Sequence, residues 1–320
     1  MRLSTNMIYQ QQTSGVLEAQ RSWLEVGKQL SSGKRVINPS DDPISAANAV
    51  VLKQAQAQGM QFASARDFAI QRVSTEESTL QQVTSVVSDA QTILVAANNG
   101  TLSDDDRASY ATQLKGLRDQ LLNLANSTDG NGRYMFAGYK SDSAPFSMDS
   151  DGNVTYTGGT TAITQQVDAN RNMVTNHTGS EVFMTLTSNA KKEPDGTDGE
   201  SNIFATLKTA IDALDTPLGS DQTAASDSQN ALAKSMRGLS NSFNNILAVR
   251  SELGTNLTEL DNLDSLGNDR AVIMQTQMSN LVDVDYTSAI SSYVMLKEQL
   301  SASYSTFQQM SSMSLFKLNQ

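Results

Sequence analysis

His177 is the only histidine in the chain, and there is no cysteine. Imidazole chemistry therefore has a single possible seat, in the polar stretch from Val174 to Gly179, whose turn character predicts a surface histidine rather than a general base. Thiol nucleophiles, disulfides, thiolate metal sites and multi-histidine metal sites are all excluded. Two acidic groupings invite a cation. Asp149, Asp151 and Asn153 around Gly152 offer clustered oxygen ligands. The further ligands and terminal glutamate of an EF-hand loop do not follow, so a β-turn is the better reading. Asp104, Asp105 and Asp106 follow Ser103, and carboxylates there favour the positive end of a helix dipole. No Gly-rich phosphate loop, Gly-x-Ser-x-Gly elbow or His-Glu-x-x-His helix is present. Carboxylates paired from distant parts of the chain remain open for glycoside hydrolysis, but no feature speaks positively for an enzyme. No catalytic, cofactor-binding or metal-binding residue is assigned.

The elements around these residues are helical. Ser40-Asp41-Asp42 precedes Pro43, which places a capping residue before a proline at the first helical position. Ala69, Val73, Leu80, Val83, Val87, Ala90, Leu94 and Ala97 follow on one seam of three- and four-residue steps, interrupted by Glu76. Asn98-Asn99-Gly100 ends it, and Ser103 with Asp106 opens a helix striped by Tyr110, Leu114, Leu117, Leu121 and Leu124. A third seam runs through Leu232, Met236, Leu239, Phe243, Ile246, Leu253, Leu257 and Leu260, with Arg250 as its exception. A helix over 43–97, unless Gly59 interrupts it, would be roughly 80 Å long at about 1.5 Å per residue. That overruns a compact globule of this chain length, whose radius of gyration is only about 20 Å, so the seams predict a mainly α, elongated rod of packed long helices.

The middle of the chain differs from both ends. Of 320 residues carrying a net charge of −11, the segment 141–230 holds 4 basic and 13 acidic side chains, against 13 of each in 1–140. With three of the five prolines also falling there, it reads as an inserted, exposed, acidic domain. Val154 to Thr157, Ala162 to Val167 and Val182 to Met184 are its strand candidates, and Glu193 to Gly199 a loop. Net acidity argues against nucleic acid. No apolar run is long enough for a signal peptide or a membrane span, which alone suggests the cytoplasm.

The two ends carry apolar stripes with little else to cover them: Leu3, Met7, Ile8, Val16, Leu17, Trp23, Leu24 and Leu30 at one, Ala289, Tyr293, Leu296, Leu300, Phe307 and Met310 at the other, with Ser303 in phase. Packed alone, the first stripe hardly offsets the entropy of ordering its segment. Frayed termini in the monomer and folding coupled to assembly are expected. Leu3, Met7, Leu17, Leu24, Tyr293, Leu296, Leu300, Phe307 and Met310 are the candidate subunit-interface residues.

Leu30-Ser31-Ser32-Gly33-Lys34-Arg35, followed by Asp41-Asp42, resembles the N-terminal region of the bacterial flagellin family. Met1 to Thr5, Asn38 to Pro43, Gly132 to Gly138, Asp283 to Ile290 and Ser314 to Phe316 are similar to the branch of that family that joins hook to filament. The resemblance implies paired N- and C-terminal helices in a coiled-coil domain (1–42 with 280–320), a helical rod (43–130 with 231–279) and a β-rich outer domain (131–230). It implies export of an unfolded chain through the flagellar type III apparatus, and an extracellular place on the flagellum. The partners implied are hook-associated protein 1, flagellin, copies of the chain in a ring, and an export chaperone meeting about 280–320, with no cofactor, nucleic acid or membrane insertion. Flagellin itself, or a secreted enzyme with its activity in 131–230, is the alternative.

Overall fold

The structure is a computed structural model of the 320-residue chain and describes residues 5–219 and 222–318. Two compact units are present: residues 1–60 with 267–320, and residues 61–266.

The second unit is built around parts of two long helices, α2 (Pro43–Ala97) and α6 (Gln222–Val282). Gly59 lies inside α2 without breaking it. The α2 seam from Val73 to Ala97 and the α6 seam from Leu232 to Leu253 share one core with α3 (Asp104–Ala125) and α5 (Ile203–Asp215). Ser103 caps α3 in a reciprocal box with Asp106. Asp104 instead accepts the backbone N–H of Leu218 at 2.9 Å, which holds its carboxyl below the usual carboxylate range. Asp104 and Asp106 thus serve the start of the helix.

The segment between α3 and α6 mixes strands and helices. β1 (Phe146–Met148) pairs antiparallel with β2 (Val154–Tyr156), and β3 (Ile163–Asp168) with β4 (Arg171–Asn176). Asp149 closes the first hairpin by accepting from the N–H groups of Asp151 and Asn153 at 3.0 and 2.8 Å, so the oxygen-rich run is a turn. The strand expected at Val182 to Met184 is instead a short helix, α4 (Gly179–Phe183). Thr178 and Glu181 form a reciprocal capping box that starts it, and this local signal overrides the apolar run. Helix α5, capped by Asn202, adds a second helix to a region expected to be β-rich. Phe136, Phe146, Phe183 and Phe204 pack edge-on or tilted, with centroids 5.3–6.0 Å apart, and root the hairpins in the helical core.

The polar interruptions of the helical seams carry buried and half-buried ion pairs, one of which fastens the segment to α2. Glu76 of α2 is fully buried and accepts from His177, from its backbone N–H at 3.2 Å and at Nδ1 at 3.0 Å. His177 is therefore buried, not on the surface; its Nε2 lies 3.6 Å from Glu252 of α6. Burial works against the imidazolium, but the hydrogen bond and charge of Glu76, with Glu252 and Glu181 beyond, outweigh it and raise the His177 pKa. Burial pushes the Glu76 carboxyl up against the pull of His177. Arg250, the exception in the α6 seam, grips Glu77 of α2 at 2.6 Å. Arg66 reaches both Asp264 and the Val167 carbonyl, and Asn241 exchanges two hydrogen bonds with the Lys191 backbone at 2.8 and 2.9 Å.

Candidate assembly interface

The first unit carries the terminal stripes. Helix α1 (Thr5–Ser32) lies antiparallel to α7 (Tyr286–Leu318), as two ring pairs fix: Tyr9 with Phe307 at 5.4 Å and Trp23 with Tyr293 at 5.5 Å. The described part of both ends is thus helical and paired rather than frayed, because each stripe supplies the burial the other lacks. Val16 and Ala19 are buried on the inner face of α1. On α7, Tyr293, Leu296, Leu300, Phe307 and Met310 are all half-buried, and their steps of three, four and seven residues keep them on one face.

The remaining candidates lie elsewhere. Met7, Leu17 and Leu24 are 57%, 58% and 49% exposed; Leu3 lies outside the described residues. A second exposed row on α7, Tyr286, Ile290 and Val294, steps by four. Ile44, Val50 and Val51 of α2 and Val272 and Ile273 of α6 are exposed in the same unit. Sequence reasoning missed these because it followed one seam on each terminal helix. The signal was present in the four-residue spacing of the α7 row.

The motif from Leu30 to Asp42 turns the chain between α1 and α2 and clasps it to the α6–α7 junction. Leu30 is half-buried in the last turn of α1. Ser31 and Ser32 donate back to the Lys28 and Gln29 carbonyls at 3.0 and 3.3 Å. Gly33 takes φ +70, the left-handed conformation that ends a helix, and a Cβ there would stand 3.0 Å from the Tyr286 hydroxyl. Its carbonyl accepts from the Val284 N–H at 3.0 Å, and the Arg35 N–H donates to the Val282 carbonyl at 2.7 Å. The Arg35 guanidinium spans three groups: the Leu281 carbonyl at 2.7 Å, Asp42 at 3.1 Å and Ser45 at 3.3 Å. Asp41 accepts from the N–H groups of Ile37 and Asn38 at 3.1 and 2.8 Å. Asp42 caps α2 through the Ser45 N–H at 3.1 Å, and the Ser45 and Arg35 contacts bring its pKa down to about 2. These residues position backbone. None of them gathers the acid, base or nucleophile of a reacting centre.

The family model for the bacterial flagellin N-terminal helical region matches residues 3–141, which include the whole clasp motif. Over its full length the chain is 58% identical across 319 residues to flagellar hook-associated protein 3 of Salmonella typhimurium, with 100% of both chains covered. This chain belongs to the flagellar hook-associated protein 3 family. The hook-associated protein 3 of Escherichia coli is 56% identical, again with 100% of both chains covered. Among solved structures, the flagellar junction protein FlgL of Legionella pneumophila superposes with a TM-score of 0.61 at 21% identity, over 74% of this chain and 100% of that one, a likeness of fold. In this member of the family the flagellin-like motif is thus a clasp between the two ends of the chain.

Proposed function

We propose that this chain is a structural, non-catalytic protein of the bacterial flagellum that forms the junction between hook and filament. Full-length identity to hook-associated proteins 3 carries the reading, and the likeness to the flagellin N-terminal region over 3–141 fits a piece that must also pack like flagellin. It works outside the cell, after export as an unfolded chain, meeting hook-associated protein 1 on one side, flagellin on the other and copies of itself in a ring. The coiled-coil pair of 1–42 with 280–320 polymerises, 43–130 with 231–279 forms the rod, and 131–230 is the outer part. An export chaperone takes the 280–320 segment before the pair closes; no nucleic acid or membrane insertion is involved.

The mechanism is burial in two stages. Tyr293, Leu296, Leu300, Phe307 and Met310 first close on α1 within the chain. Met7, Leu17, Leu24 and the Tyr286, Ile290, Val294 row then meet neighbouring subunits, each residue adding roughly 1.5–3 kcal/mol if fully covered. Deleting the gene tests the reading by electron microscopy and a flagellin assay of the medium. Bare hooks with flagellin shed as monomer are expected. Normal filaments would overturn the junction role, and bare hooks with no flagellin anywhere would make the chain the filament subunit. An enzyme acting through 131–230 would lose its role on deletion of that segment while assembly persisted.

A further inference from the structure

The Gly132 to Gly138 motif takes no part in the terminal clasp. In the unit 61–266 it lines a groove of about 530 Å³ together with Phe68, Arg72 and Thr75 of α2, Ile163 of β3 and Asn176 of β4. Met135, Phe136 and Ala137 are buried as a one-turn anchor, which holds the flanking Arg133 and Tyr139 at the rim. Gly138 is obligatory there: its φ is +56 and a Cβ would fall 2.7 Å from the Thr161 carbonyl.

The groove is cationic in an acidic molecule. Arg72 of α2 and Arg133 both line it, and among the described residues neither engages a carboxylate. Arg66, Arg118, Arg171, Arg237 and Arg250 of the same unit do, and Arg107 is held by the Ala213 carbonyl and the Ser228 hydroxyl. Asp129 also lines the groove, but its Oδ1 is occupied by the N–H groups of Asn131 and Arg133 at 2.8 and 3.0 Å. Phe68 and Tyr139, each 64% exposed, line the same groove. Free arginines beside exposed aromatics suit a desolvated contact with an acidic protein segment. The chain holds such a segment in 141–230, with 13 acidic against 4 basic side chains.

We propose that this groove receives the acidic segment of a second copy of the chain, as a side-to-side contact between neighbouring subunits. The inference rests on the ring-forming reading above and deepens it by naming the surfaces. Copies of a chain with net charge −11 repel one another at close range. Two unpaired guanidiniums set opposite the most acidic segment convert part of that repulsion into registration, since charge complementarity fixes orientation and partner.

The full-length chain carrying a photoreactive benzoylphenylalanine in place of Tyr139, expressed in cells that otherwise lack the protein, tests this in isolated flagella. Irradiation is expected to give a species of two copies whose cross-linked peptide maps to 141–230. The adduct should fall with rising salt, and about tenfold in Arg72→Glu with Arg133→Glu, the scale of losing two rim charge pairs. An unchanged circular-dichroism unfolding midpoint verifies that the double variant is folded; if it is not, the salt series decides alone. An adduct with another flagellar protein, an adduct mapping outside 141–230, salt-independent yield, or no adduct in flagella that bear filaments would overturn the proposal. In that last case the filaments themselves leave the junction role standing.

Discussion

Replacing Glu76 by alanine should destabilise the 61–266 unit far more than an exposed ion pair would. The carboxylate is fully buried and accepts from two donors of His177, the backbone N–H at 3.2 Å and Nδ1 at 3.0 Å. Its removal strands both donors in the interior, at about 1–3 kcal/mol each, so the loss should be about 3–5 kcal/mol, the range for breaking a buried pair from one side. Glu76→Gln keeps an acceptor oxygen and should cost about 1–2 kcal/mol. Urea unfolding of the full chain followed by circular dichroism measures both. The fluorescence of Trp23, the only tryptophan, gives an internal control because it reports the other unit through its contact with Tyr293. The pH dependence follows from the raised His177 pKa. Stabilisation by its charged form is complete below the unfolded value of about 6.5 and is lost as pH rises through the higher folded value. The wild-type midpoint should therefore fall from pH 6 to pH 9, and Glu76→Gln should flatten that fall. A loss below about 1 kcal/mol for Glu76→Ala, the scale of a solvated pair, would refute the reasoning.

Three further outcomes are expected. Tyr293→Ala should red-shift Trp23 emission and lower the fluorescence-detected unfolding free energy by about 1–3 kcal/mol, less than for a fully buried aromatic because Tyr293 is half-buried. Asp42, with its pKa brought down to about 2, stabilises the α2 start above about pH 4 and loses that effect between about pH 4 and 2; amide exchange at Ser45 and Ala46 should accelerate across that window in the wild type and not in Asp42→Asn. Leu24→Asp should leave the monomer folded, since Leu24 is exposed, yet give bare hooks, whereas Leu300→Asp should also weaken the α1–α7 pair seen by Trp23 fluorescence.

The helical architecture was legible because periodicity and caps are local. The Ser103–Asp106 box, Pro43 after Asp42, and the turn at Asp149 all stand where the sequence predicts them. What escaped was set by partners far along the chain. Glu76 read as a flaw in its seam and His177 as a surface residue, and each is explained only by the other, 101 residues away. The short helix at Gly179–Phe183 and helix α5 escaped for a different reason. Their caps, Thr178 with Glu181 and Asn202, were written in the sequence, but strand and turn signals nearby outweighed them. At the interface, the sequence marked apolar positions without saying which face of each terminal helix the chain itself would use. Tyr293 and Phe307 are spent on α1, while Leu17 and Leu24 remain outward.

The clasp at Gly33 and Arg35 has a consequence for the order in which the molecule is made. Arg35 grips the Leu281 carbonyl at a sequence separation of 246, so the first helix cannot be locked until most of the polypeptide is available. A contact of that sequence separation is slow to find and late to form. A chain cut between Leu253 and Leu281 would keep the α6 seam of its core and lack the partner that closes its ends. The clasp thus ties closure of the chain's start to the arrival of the α6–α7 junction.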